Sequence, residues 1–381
     1  MTIMKPENEA ALAEMVKTAQ GPIRIFGGGT RDIGGPTEGE VLSVAGLSGV
    51  SLYEPGALTL VAQAGTPVAE IESVLAAESQ RLAFEPMDHR ALLGTSGTPT
   101  IGGVVAANVS GPRRIQVGAC RDSLLGVRFV DGQGRILKNG GRVMKNVTGY
   151  DLVKLMAGSW GTLGVLSEVS LKVQAVPEAS ACVLLYGLEE TAAVDAMSAA
   201  LGSPYDISGA AHAPIGIDGH SATMIRIEGL EASVAYRVEK LKALFAGAGA
   251  EIHVERAPQN VAAGWSWVRD VALMQGGSGD VWRLSVKPSD APGLVARLRE
   301  EHPDIKVLYD WGGGLVWIET PAGRDLRTTG FAGHATLIRA SEETRRTLRT
   351  FHPEPTPIAA ITKGLRARFD PRGIFNPGLM G

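Results

Sequence analysis

The feature that most constrains this chain is a short apolar strand, Pro22 to Phe26, that runs straight into Gly27-Gly28-Gly29-Thr30-Arg31-Asp32-Ile33-Gly34-Gly35. Consecutive glycines allow positive φ and turn several backbone N–H groups toward one point, a concavity suited to anions. Thr30 adds a hydroxyl donor. For this run alone a mobile turn is an equally open reading. It is not a Walker loop, because no Lys-Ser/Thr follows, and the G-x-G-x-x-G spacing of a dinucleotide turn fails.

Two further segments narrow the reading. Pro99-Thr100-Ile101-Gly102-Gly103-Val104-Val105-Ala106-Ala107-Asn108-Val109-Ser110-Gly111 pairs a Gly-Gly with a long run of small side chains. Such a stretch lies flat against a planar group, with Asn108 and Ser110 as polar handles, or packs as a tight core helix. The third segment is Asn146-Val147-Thr148-Gly149-Tyr150-Asp151-Leu152, followed by Ala157-Gly158-Ser159-Trp160-Gly161-Thr162-Leu163-Gly164-Val165. Thr148 reads as a helix N-cap with Asp151 in the first turn, and Gly158 as the C-terminal stop. Gly161 and Gly164 then bring a strand close to something flat, or simply punctuate a helix-to-strand junction. Glycine is over-used overall, 49 of 381 residues or roughly 13% against about 7% in average proteins.

Length sets the frame. At 381 residues the chain exceeds what one hydrophobic core usually supports, so two domains are expected. A net charge of -3 gives no electrostatic footprint for nucleic acid. Cys120 and Cys182 are too few for a disulfide framework, a zinc site or an iron–sulfur cluster held by this chain alone. Met1 to Ala19 reads as an amphipathic segment with Ala11, Leu12, Met15, Val16 and Ala19 on one face, neither a signal peptide nor a spanning helix. A soluble cytoplasmic protein is expected.

Patterning up to about residue 175 alternates short strands with glycine turns and a few helices. It predicts a strand over Leu58 to Ala64, a helix over Val68 to Leu75 behind Pro67, a hairpin from Leu124 to Leu137 and a strand over Leu163 to Val173. Beyond Pro177 strands and helices alternate as in an α+β domain with an antiparallel sheet. The predicted elements are strands over Cys182–Tyr186, Thr223–Glu228, Val281–Val286 and Leu315–Glu319, and helices over 189–201, 231–245 and 357–368.

Taken in order, these segments resemble the FAD domain of the vanillyl-alcohol oxidase / p-cresol methylhydroxylase family. More narrowly, they resemble the FAD-binding E subunits of bacterial glycolate oxidase/dehydrogenase. The narrow match rests on Gly111-Pro112-Arg113-Arg114, Arg121-Asp122 with Leu125-Gly126, and Val143 to Asp151. It continues through Leu284 to Pro292, Asp310 to Leu315, Gly333-His334-Ala335-Thr336 and Phe375-Asn376-Pro377-Gly378.

The resemblance implies a two-subdomain PCMH-type FAD-binding domain over residues 1–175 and a smaller α+β cap over 176–345. A C-terminal helix and Phe-Asn-Pro turn, 346–381, would return to the flavin. It implies non-covalent FAD, cradled at its pyrophosphate by Gly27, Gly28, Gly29, Thr30, Arg31 and Asp32. Thr100, Ile101, Gly102 and Gly103 would form a second phosphate-facing loop. Ala106, Asn108 and Gly111 would line the flavin, with Pro86, Arg121 and Asp122 nearby. Gly161, Thr162, Gly164 and Val165 would run along the adenine or ribitol end, and Asn376 would meet the isoalloxazine edge. The implied activity is oxidation of glycolate or another 2-hydroxy acid, alongside a related catalytic flavin subunit and an iron–sulfur subunit.

One departure is evident. Relatives that oxidise 2-hydroxy acids carry histidines and arginines in the cap, whereas Trp311-Gly312-Gly313-Gly314-Leu315 offers neither a His nor a cationic clamp. His334 is the best candidate base, His89 lies near the expected flavin, and His212 and His220 read as surface residues. No covalent flavin attachment is assigned; Cys120 and His89 are possible in principle. Trp265, Trp267 and Trp282 read as cap core or as an interface stripe. Arg113-Arg114 is either a salt-bridged surface pair or an anion- or partner-facing patch. A self-contained 2-hydroxy-acid dehydrogenase and a flavin-free structural subunit are the rival readings.

Overall fold

The structure, a computed structural model, describes residues 3–142 and 149–380. The chain divides into two compact units. The first draws on the stretch up to Ser110, on Gly118–Val176 and on the chain from Pro353 onward; the second comprises Gly111–Val117 and Pro177–His352.

The first unit begins with the amphipathic helix Glu9–Thr18, capped by Asn8, whose Oδ1 accepts from the Ala11 N–H at 2.9 Å. Its Leu12 and Val16 are fully buried. They pack with Ile23, Leu42, Val130, Val165 and Phe375 into one core cluster. Among the described residues a small parallel sheet places Glu40–Ser43 between Ile3–Met4 and Ile23–Phe26. An antiparallel sheet runs in the order Val50–Glu54, Thr59–Gln63, Val165–Lys172, Leu124–Val130, Ile136–Gly140. The expected hairpin is therefore present, closed by Asp131, whose carboxylate accepts from the Gln133 and Arg135 N–H groups. Thr148 lies outside the described residues. The helix Leu152–Met156 is capped by Asp151 itself, whose Oδ1 takes the Lys154 N–H at 3.1 Å, and Gly158 follows at φ +87° as its stop.

In the second unit an antiparallel sheet runs in the order Glu251–Glu255, Ala179–Tyr186, Ala222–Gly229, Ile207–Ala213, Lys306–Asp310, Leu315–Thr320, Asp280–Val286, Gly333–Arg339. The helices Glu190–Leu201, Glu231–Phe245 and Ala291–Glu301 contribute to the same core as one face of that sheet. The strands Ala179–Tyr186, Ala222–Gly229, Asp280–Val286 and Leu315–Thr320 and the helices Glu190–Leu201 and Glu231–Phe245 match the patterned segments, whereas the helices Pro258–Arg269 and Ala291–Glu301 were not predicted. The strands Ile207–Ala213 and Gly333–Arg339 were not anticipated, because their glycines, alanines and histidines mask the alternation.

Two stretches sit elsewhere than the sequence divides them. Gly111–Val117 belongs to the second unit, where Arg113 forms a buried pair with Glu228 at 2.9 Å and Ile115 packs on the core. Residues 346–352 also stay there: the Leu337 N–H donates to the Thr350 carbonyl at 2.9 Å, and Arg327 donates to the Arg349 and Phe351 carbonyls.

An ion pair ties the first helix to the antiparallel sheet: Arg128 donates to Glu9, and Ser167 donates to Glu9 Oε1 at 2.6 Å. Burial raises the Glu9 carboxyl, but the hydrogen bonds from Arg128 and Ser167 outweigh it and hold its pKa below 4.5. A depressed carboxylate stabilises the fold above its unfolded pKa, and that contribution disappears as pH falls through the folded value. Glu9→Gln should therefore be less stable than the parent by on the order of 1 kcal/mol at pH 7. In urea melts the gap should close as pH drops below 4.5.

Candidate functional site

All three glycine-rich segments of the first unit meet. A methyl group on Gly28 would sit 1.5 Å from the Thr98 carbonyl oxygen, and one on Gly97 would sit 1.6 Å from the Gly28 carbonyl oxygen. The two bends thus press together backbone to backbone. A methyl on Gly27 would reach Thr100 Oγ1 at 2.6 Å, and one on Gly103 would reach Arg31 Nη1 at 3.3 Å. From the other side, the Gly158 N–H donates to the Val105 carbonyl and the Trp160 N–H to the Ala106 carbonyl.

What the first bend leaves free is its donors. The N–H groups of Gly28, Gly29, Thr30 and Arg31 donate to no acceptor within the chain among the described residues. Gly29 adopts φ +71°, as a run of N–H groups converging on an anion requires. Arg31 stands beside them with its Nε buried and unpartnered. Burial pushes its guanidinium down to about 10 against the opposing charge of Asp88. A desolvated cation and four unclaimed donors suit a diphosphate. Asp32 does not join them; it is exposed and pairs with Arg24 at 3.5 Å.

The second loop differs from expectation. The Ile101 N–H donates to Thr66 O at 3.0 Å, the Gly102 N–H to Ala64 O at 2.8 Å, and the Gly103 N–H to Thr100 Oγ1 at 3.4 Å. The N–H groups of Ile101, Gly102 and Gly103 are thus engaged within the chain and are not available to a phosphate. What it presents is the bare Cα of Gly103 beside Arg31. Gly102 is required by packing, since a methyl there would lie 2.6 Å from the Ala64 methyl carbon.

Asn108 and Ser110 are not free handles either. Asn108, at φ +49°, accepts the Arg121 N–H on Oδ1 at 3.0 Å, and Ser110 Oγ accepts the Cys120 N–H at 2.9 Å. Asp122 accepts the Ala119 N–H at 2.8 Å, while the Arg121 side chain stays half-exposed. Ala106 is half-buried and Pro86 buried. Gly111 lies in the second unit.

Gly161, Thr162, Gly164 and Val165 are buried, and packing within the chain accounts for all of them: a methyl on Gly161 would lie 2.9 Å from the Asn376 amide nitrogen. Gly164 faces Phe129, Val165 belongs to the core, and the Thr162 hydroxyl donates to Ser159 O. Asn376 is a latch. At φ +43° it accepts the Ile25 N–H at 2.8 Å and donates to Trp160 O at 2.9 Å, tying the C-terminal turn to the strand that feeds the glycine bend.

Neither conceivable covalent attachment is presented. Cys120 is fully buried with its thiol pushed up by burial, and His89 is buried with Nδ1 3.3 Å from the Met87 carbonyl.

The second unit changes the account of the cap. His212 is fully buried, hydrogen-bonded through Nδ1 to Thr223 Oγ1 at 2.9 Å, and burial pushes it down to about 4. It is no surface residue, because a histidine inside a central strand is carried into the core. Trp265 and Trp282 are buried, as read; His220 is exposed. Arg113 is a buried ion-pair partner of Glu228. Cations do reach Trp311, from far away in sequence: the guanidinium carbons of Arg114 and Arg283 lie 4.5 and 5.1 Å from the centre of its ring. His334 is exposed on the edge strand, its ring edge-on to His352 at 5.2 Å.

Residues 2–140 match the family described as FAD binding domain. Over 97% of its length the chain is 35% identical to the glycolate oxidase subunit GlcE of Escherichia coli (strain K12), covering 96% of that protein. It belongs to the GlcE family. The glycolate oxidase subunit GlcD of Bacillus subtilis (strain 168) is 35% identical over 41% of this chain and 33% of its own length. Among solved structures, an alkyldihydroxyacetonephosphate synthase superposes with TM-score 0.72 at 18% identity, covering 98% of this chain and 76% of that one, a likeness of fold. The chain is thus an FAD-dependent oxidoreductase subunit by family, with an α+β PCMH-type fold.

Gly28→Ala and Gly97→Ala each place a methyl carbon under 2 Å from a backbone carbonyl oxygen, which no side-chain rotation relieves. Each variant should unfold at lower urea and copurify with less FAD. Gly94→Ala, in open space at φ +67°, should cost only about 1 kcal/mol and keep its flavin.

Proposed function

We propose that this chain is the FAD-binding subunit of a glycolate (2-hydroxy acid) oxidase/dehydrogenase complex, in which glycolate becomes glyoxylate with electron transfer through flavin. The single observation that carries the reading is the conjunction of near full-length similarity to a glycolate oxidase subunit with a glycine bend whose free N–H groups and Arg31 suit a diphosphate. The first unit would be the flavin domain and the second the cap.

FAD, when bound, supplies reversible two-electron acceptance. The chain's own residues do the rest. Gly28, Gly29, Thr30 and Arg31 would donate to the pyrophosphate, and Gly103 would leave room beside them. The Asn376 latch keeps the bend at a fixed place relative to Trp160. Thr100, Ile101, Gly102, Ala106 and Asn108 would shape that cradle from behind.

Partners follow from what the chain lacks. Both cysteines are buried and no group of metal-ligating side chains occurs among the described residues, so an iron–sulfur centre would belong to another subunit. A related catalytic flavin subunit would be the second partner. No helix among the described residues is long and apolar enough to cross a membrane; association with the inner membrane would come through the complex. The arginines at Trp311 favour a second reading, in which this chain also handles substrate itself.

Arg31→Gln removes one charge-assisted donor, a contribution of roughly 1.5–3 kcal/mol, or about tenfold or more in flavin affinity. The visible spectrum and mass spectrometry of released cofactor should show that loss in protein purified with its neighbours. Retention of full FAD would count against the assigned cradle, and a colourless parent protein against the flavin reading altogether.

A further inference from the structure

The helix Thr356–Phe369, which belongs to the first unit, has no buried residue along its whole length. It touches its unit along one stripe only. Thr362, Leu365, Arg366 and Phe369 are half-buried there, and the Phe369 ring meets that of Phe129 at 6.0 Å. Residues 356–361, ahead of that stripe, are exposed without exception, with Ile358 at 48% and Ile361 at 61%.

Composition makes this exposure unusual. Pro357, Ile358, Ala359, Ala360 and Ile361 are consecutive apolar residues, and at about 3.6 residues per turn such a run covers the full circumference of the helix. A helix that is apolar all round belongs inside something, and an exposed run of this length is a liability unless it has a use. The turn is also built to persist in water. Pro355 caps it at φ −55° and ψ 144°, and Pro357 stands in the first turn, where a missing N–H costs nothing. The Ala359 N–H donates to the Pro355 carbonyl at 2.9 Å, and the Thr362 hydroxyl donates to Glu354 Oε1 at 2.9 Å. The apolar knob is thus held as helix rather than left as a frayed end.

Charges form a collar behind it. Lys363, Arg366 and Arg368 follow, and no Asp or Glu lies between Thr356 and Phe369, on a chain whose net charge is -3. Lys363 and Arg368 are exposed. Of the flanking carboxylates, Glu354 accepts from Thr362, and Asp370 is buried and accepts the Phe375 N–H at 2.8 Å.

This order of features selects the occupant. Two copies of the knob packed together would bring like-charged collars into contact, which is repulsive. A bilayer surface takes up one apolar face of a helix and leaves the other in water, whereas here the apolar residues run right round. What fits is a protein groove that encloses the turn. Ile358 and Ile361 would be its anchors, the alanines would allow close approach, and carboxylates at the rim would meet the collar.

We propose that residues 356–361 insert into an apolar, acid-rimmed groove of another subunit of the oxidase complex, with Lys363 and Arg368 pairing with the rim. The inference rests on the reading of this chain as a subunit of such a complex.

The test is to coexpress the full-length protein with both proposed partner subunits and purify it through a tag on this chain. The amount of each partner retained is measured at low and at high salt. The parent should retain a partner, and less of it at high salt. Ile361→Asp should lower retention by roughly tenfold or more, with urea unfolding and the flavin spectrum unchanged, and Ile361→Leu should keep it. Lys363→Glu combined with Arg368→Glu should lower retention at low salt and remove most of the salt dependence. Should Ile361→Asp fail to fold, Ile358→Asp decides by the same criterion. Unchanged retention by a folded aspartate variant overturns the interface and leaves the complex reading standing. A parent that retains no partner overturns both. If instead Ile361→Asp abolishes self-association of the chain in light scattering, or its flotation with phosphatidylglycerol vesicles, while partner retention persists, the knob belongs to a second copy or to lipid and the proposal is overturned.

Discussion

The first unit depends on one close approach: the Gly28 bend against Gly97 and Thr98, with no side chain between the two backbones. Two glycines facing each other at this distance form a joint that neither loop could make alone. At this joint the N–H groups of Gly28 through Arg31 donate to no acceptor of the chain among the described residues. Backbone N–H groups without partners cost free energy when shielded from water. An anion would therefore suit the bend, and Arg31, desolvated with an orphan Nε, would suit the same one.

This contact also explains how far the sequence could be read. Glycine runs announced that backbone had to come close to something, and the free donors of the first bend follow from that. They did not say what. At Gly102 the partner is the Ala64 methyl, at Gly164 it is Phe129, and at Gly161 it is the Asn376 amide. Each has the signature of a ligand-facing glycine and each is explained by the chain itself. Polar residues mislead in the same manner. Asn108, Ser110, Thr162 and Asn376 look like handles for a cofactor, yet each has hydrogen-bond partners more than two residues away in the chain. Regular elements with strong periodicity, such as helix Glu231–Phe245, were legible because their burial depends on local spacing alone.

The cap shows the complementary failure. A motif reading looks for a clamp near Trp311 in sequence and finds glycines. The fold brings Arg114, about 200 residues upstream, to that ring by anchoring its segment through the buried Arg113–Glu228 pair and through the bond from Trp311 to Gly111. Removing one partner of a buried pair is strongly unfavourable, so Arg113 fixes where Arg114 must stand. Burial of a charge at Arg113 thus serves a position rather than a net gain in stability.

Asn376 carries the same logic to the far end of the chain. Strand Ile23–Phe26 receives the Phe-Asn-Pro turn along its open side: the Ile23 N–H donates to Ile374 O, the Asn376 N–H donates to Ile23 O, and Ile25 is bonded by the Asn376 amide. A left-handed asparagine is a modest expense for such a fit, since Asn tolerates positive φ better than most residues. Because the strand leads directly into Gly27, any displacement of the last few residues is transmitted to the bend, and through Trp160 O to the Ala106 side of the cradle. The C-terminal turn would then serve the proposed site by holding it in register.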